Sequence, residues 1–115
     1  MKNLEAIKER YLNDQLPIRL GGLAANLARV ESFSTNDAHL EVVESLLNES
    51  KYFIEWTAME AGLHLQAELI ELQRLLSRWQ YSLNDIWPDL DRRDSFSRQA
   101  GAWSRRVLES SGLLG

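Results

Sequence analysis

The sequence predicts an all-α protein, an up-and-down antiparallel four-helix bundle with a short extra N-terminal helix. Three observations carry that reading. Between Ala61 and Ile86 the apolar series Ala61, Leu65, Leu69, Leu72, Leu76, Trp79, Leu83 and Ile86 advances in steps of three or four, the spacing of one helical face. Two further segments and part of a third keep the same rhythm, and nothing alternates with the period of a strand. The links between these segments are short, so each helix is expected to run against the one before it. With 115 residues, 44% of them hydrophobic and 26% charged, residues 1–115 suit a single domain around one core.

Each element has its own local argument. Leu4, Ile7, Tyr11 and Leu12 mark a short amphipathic turn or two. Pro17 interrupts, because it lacks a donor, yet it fits the first turn of a new helix. From there Leu16, Leu20, Leu23, Leu27 and Val30 form a stripe reaching Phe33. Gly21-Gly22 weakens that helix by about 1 kcal/mol per glycine. The compensation expected is close approach, with Gly21, Ala24 and Ala28 forming a groove of small residues against another helix. A phosphate loop is disfavoured, since no strand precedes these glycines and no Gly-Lys-Ser/Thr follows.

Ser34-Thr35-Asn36-Asp37 reads as a helix start with Ser34 as the cap. The next stripe is Leu40, Val43, Leu47, Ser50 and Ile54, flanked by Leu46 and Phe53. Thr57-Ala58-Met59-Glu60 fits a capping box, which places a turn near Trp56-Thr57 and a new helix from Ala58 to about Ile86. The rival is one helix over 37–86, roughly 73 Å long, which would need a dimeric partner to bury its length. Gly62 is an alternative position for the break. Trp87-Pro88-Asp89 ends that helix. The last one carries Phe96, Ala100, Trp103 and Val107 and stops at Gly112, before Leu113-Leu114.

Around Glu55-Trp56-Thr57, Leu75-Leu76-Ser77-Arg78-Trp79 and the closing run from Trp103 to Leu114, the chain resembles a family of small all-helical bundle proteins of unassigned function. The resemblance extends over most of the chain. It implies the helical fold and carries neither an activity nor site residues.

Composition narrows the function classes. No cysteine is present, so a disulfide framework and a thiolate site are both out. The N-terminus has no long apolar run, and no uncharged stretch approaches the roughly 20 residues of a membrane span; a cytoplasmic protein is expected. Residues 31–73 hold nine acidic side chains against Lys51 alone, while the flanking thirds are each slightly basic. The acidic middle repels phosphate, so nucleic acid is an unlikely partner. Segregated charge is usually a solvated helix face, and otherwise a complementary contact.

The candidate sites are few. Glu60, His64 and Glu68 stand four apart and offer one nitrogen and two carboxylates to a metal. Helical-bundle metal sites, however, use a Glu-x-x-His pair and more inward glutamates, so a solvated face is the favoured reading and no metal is assigned. His39 is expected to face water. Ser77, Ser82, Ser104 and Ser110 have no histidine close in sequence, and no arginine stands at the spacing of the Arg-His pair of helical toxin RNases. No catalytic residue and no cofactor is assigned. Four tryptophans are many for this length: Trp79 and Trp103 are expected in the core, and Trp56 and Trp87 half-exposed at helix ends. Aromatics with arginines make binding hot spots, which gives a candidate interaction surface of Trp56, Trp87, Arg98, Arg105, Arg106, Leu113 and Leu114. The expected function is a non-enzymatic interaction module, binding a protein partner or itself, with a small-ligand carrier having an apolar pocket near Trp79 and Trp103 as the alternative. Monomer and dimer stay open.

Overall fold

A computed structural model describes residues 3–113. Among these are five α-helices and no strand. They are α1 (Leu4–Asn13), α2 (Leu16–Phe33), α3 (Leu40–Thr57), α4 (Leu63–Ile86) and α5 (Leu90–Ser111). Short 3-10 turns, Asp37–His39 and Ala58–Glu60, lead into α3 and out of it. α2 packs on α3 and α5, α3 on α4, and α4 on α5, while α1 lies on α3. These packings are compatible with a helical bundle.

The apolar stripes are the core. Leu20, Leu23, Leu27 and Val30 of α2 meet Val43, Leu47 and Ile54 of α3, Leu69, Leu72, Leu76 and Leu83 of α4, and Phe96, Ala100 and Val107 of α5. Each of these side chains larger than alanine stabilises the fold by about 1.5–3 kcal/mol through removal from water. Small residues let α2 and α5 come together. Ser97 Oγ donates to Glu31 O at 2.9 Å and Ser104 Oγ to Ala24 O at 2.6 Å, contacts that require near-touching backbones. A Cβ on Gly101 would run into the Glu31 carboxylate, and one on Gly21 would stand 2.7 Å from Leu113 Cδ1. The small-residue groove is thus occupied by α5 at Ala24 and by Leu113, just past the end of α5, at Gly21, whereas Ala28 is exposed.

The break between α3 and α4 exists, which removes the continuous 37–86 helix, but it is built differently from the expectation. The capping box does not form: Thr57 makes no cap bond, because its hydroxyl lies 3.2 Å from Tyr11 Oη. Glu60 instead pairs with Arg19. α4 therefore begins at Leu63 with Gly62 as its N-cap, not at Ala58. Ser34 likewise does not cap α3. It ends α2, donating to Val30 O at 2.6 Å, and Asn36 caps the intervening 3-10 turn through Ala38 N. Asp89 caps α5 by accepting from Arg92 N, and Gly112 closes it at φ 85°, left-handed backbone that glycine adopts without strain.

Candidate functional site

The groove between α1 and α3 begins with how α1 is fastened. Its one buried residue is Tyr11, stacked on Phe53 with ring centroids 4.0 Å apart and planes at 11°. The Tyr11 hydroxyl donates to Arg19 O at 2.9 Å. Burial pushes this phenol up to about 12, against the smaller opposing effects of the Thr57 hydrogen bond and nearby Arg19. Arg19 in turn is clamped by both Glu60 oxygens, at 2.6 and 3.0 Å. That forked bond raises the guanidinium above its ordinary value and lowers the carboxyl. Tyr11, Arg19, Thr57 and Glu60 thus tie α1, the start of α2 and the end of α3 into one joint.

N-terminal to that joint α1 stands off α3 and leaves a cleft of about 630 Å³. Leu4 and Ile7 form one wall, and Asn48, Glu49, Tyr52 and Trp56 the other. Tyr52 and Trp56, one turn apart, stack at 5.6 Å and 27°, and Lys8 Nζ stands 6.0 Å from the Trp56 ring centre, a cation over an aromatic face. Glu49 is braced from beneath. Its Oε1 accepts from Asn26 Nδ2 at 3.1 Å, and Asn26, 2% exposed, accepts from Arg29 Nη1 at 3.0 Å. One oxygen is thereby fixed, and the side chain still lines the cleft. Glu41, Glu44 and Glu55 stand exposed on the same helix. The arrangement is an apolar, aromatic trough with a positioned carboxylate and an acidic surround, chemistry suited to a cation on an apolar stem.

The expected interaction surface is not one surface. Trp56 lines the cleft. Trp87 is buried, a correction to its expected half-exposure: its indole N–H donates to Asp37 O at 2.9 Å, and Arg93 lies over its ring at 5.1 Å. Arg93 is itself buried, donating to Trp87 O at 3.0 Å and pairing with Asp37 at 2.6 Å. Arg98 is exposed and paired with Asp94 in its own helix. Arg105 is exposed. Arg106 bridges to Glu68 at 3.2 Å and covers the half-buried Trp103 at 4.2 Å, so Trp103 is less interior than expected. Leu113 is exposed but touches the α2 backbone side near Gly21; Leu114 lies outside the described residues.

The Glu60, His64 and Glu68 series is divided by the helix start at Leu63. Glu60 belongs to Arg19, and exposed His64 pairs with Glu68 at 3.0 Å. Among the described residues no group of three or more histidine, aspartate or glutamate side chains is placed to hold a metal ion. His39 is half-buried, edge-on to Phe33 at 5.1 Å. Trp79 is buried with its ring edge-on to Phe96 at 5.0 Å. No described helix is long and apolar enough to cross a membrane.

Sequence reading passed over Glu49 and Tyr52. The signal was the series Ser45, Glu49, Tyr52 and Trp56, a second stripe beside the core stripe of α3, with polar members that made it look like solvated surface. No protein-family model, curated protein or solved structure matches the chain.

Proposed function

We propose that the chain is a non-enzymatic interaction module, an up-and-down four-helix bundle of α2–α5 on which α1 forms one lip of a docking groove. The occupant is a basic amphipathic segment of a partner protein, its apolar side against Leu4, Ile7 and Trp56 and a lysine or arginine on Glu49. The observation that supports this is the carboxylate of Glu49, held by buried Asn26 beside the Tyr52–Trp56 stack. Helices laid in apolar grooves are a recurring recognition mode, and aromatic residues are frequent binding anchors. The cysteine-free sequence suits work in the reducing cytoplasm.

A small-molecule carrier is the second reading. It is favoured by the cleft volume of about 630 Å³, inside the range of ligand sites.

The test is NMR titration of the full chain with a synthetic amphipathic lysine–leucine peptide and an acidic counterpart of equal hydrophobicity. Shifts confined to α1 and to the 45–56 face of α3 are expected with the basic peptide alone. They should weaken about tenfold in Glu49→Gln, and with added salt. Equal response to both peptides, or shifts centred elsewhere, defeats the reading.

A further inference from the structure

The outer face of α4 exposes large apolar residues, interleaved with Arg74 and Ser77, that no described residue covers. Leu63 is 86% exposed, Ile70 47% and Tyr81 92%. With Ala67, Arg74 and Ser77, all exposed, they fall within about 40° of one line along the helix, at 100° per residue. That line lies opposite Leu69, Leu72, Leu76 and Leu83, which face the core. Isolated exposed apolar residues are ordinary, whereas several large ones sharing one helix face point to an interaction surface.

The stripe is balanced in side-chain size, though not in polarity, about Leu72. Leu63 and Tyr81 are equally far from it and large; Ala67 and Ser77 are equally far and small; Ile70 and Arg74 are equally far and long. A helix face with this symmetry complements itself when a second copy lies antiparallel across it, since a two-fold contact sets each position against its mirror position. We propose that α4 is a homodimer interface, with a second copy of this chain docked antiparallel about a two-fold axis at Leu72.

Tyr81 of the second copy then covers Leu63, and the small pair Ala67 and Ser77 lets the helices approach. Ile70 lies along the aliphatic stem of the opposite Arg74. The same two-fold places Glu71 of each copy, which also stands 3.9 Å from Arg106 of its own chain, beside Arg74 of the other, giving two opposite-charge contacts with the two Glu71 side chains as neighbours between them. Gln66, Gln73 and Asn84 on the opposite flank are neutral. One helix face is small against stable interfaces of roughly 1,200–2,000 Å², so a weak dimer is expected, with a dissociation constant on the order of tens of micromolar. The proposal uses no residue of the α1–α3 cleft and stands apart from the reading of that cleft.

Sedimentation velocity of the untagged full chain from about 5 to 200 µM spans that range. A monomer–dimer transition is expected, shifted at least about tenfold to higher concentration by Ile70→Glu and, separately, by Tyr81→Asp. Both positions are solvent-exposed, and circular dichroism of each variant is the check that the helical fold is retained. Register is read by mixing Ala67→Cys with Ser77→Cys in this cysteine-free background: the mixed disulfide dimer is expected to outrun the two like-with-like dimers. A wild type that stays monomeric throughout, a dimer indifferent to both charge substitutions, or dominance of like-with-like disulfides overturns the proposal.

Discussion

Two buried serines show how the same side chain takes opposite signs. Ser104 Oγ donates to Ala24 O at 2.6 Å across the closest helix pair. Ser50, fully buried on the core face of α3, has a hydroxyl that meets no acceptor among the described residues. A satisfied internal hydrogen bond contributes about 1 kcal/mol, whereas a buried hydroxyl without one carries a desolvation cost of similar size. Ser104→Ala should therefore lower the free energy of unfolding by about 1 kcal/mol, and Ser50→Ala should raise it by about as much. Urea denaturation of both variants beside wild type decides. If both move in one direction, the hydrogen-bonding account of this core is wrong.

At the scale of elements, α1 is the helix whose attachment rests on the fewest groups. Tyr11 supplies both its stack on Phe53 and its hydrogen bond to Arg19 O. A phenol whose pKa is raised by folding stabilises the fold in its neutral form. That contribution is complete below the ordinary value of 10 and disappears as pH rises through about 12. Tyr11→Phe keeps the ring and loses the hydroxyl, so it should cost about 1 kcal/mol at pH 7. The gap to wild type should then close between pH 10 and 12, as wild type loses what the variant never had. Denaturation midpoints across that range provide the check, and a gap that widens there refutes the role given to the hydroxyl. The same joint explains what the sequence left illegible. Periodicity located the stripes of α2 to α5, because burying one face is a property of each helix by itself. Capping is local too, yet Thr57 and Glu60 were taken by Tyr11 and Arg19, 46 and 41 positions away. Trp87 escaped for a similar reason: its partner, Asp37 O, is 50 positions distant. The groove was hidden because Glu49 looks solvated until Asn26 is known to lie beneath it.

Across the whole molecule, the stripes that point inward and the one that points outward call for different measurements. An inward stripe stabilises each chain alone, so its effect on the melting temperature is independent of protein concentration. If α4 is the proposed homodimer face, its outward stripe, Leu63 to Tyr81, acts only where a second copy is present, and association with the folded state adds stability by mass action. Once the dimer predominates, a thirtyfold rise in concentration adds roughly 1 kcal/mol per chain, or about 3–5 °C in melting temperature for a domain of this size. Calorimetry of wild type should show that rise. Ile70→Glu should show a flat line meeting the wild-type curve at low concentration, because the substitution sits opposite the core and leaves the monomer intact. A wild-type melting temperature constant over that range would mean that α4 faces water, with its leucine, isoleucine and tyrosine contributing nothing to assembly. A variant that melts lower at every concentration would place Ile70 in the stability of the single chain instead.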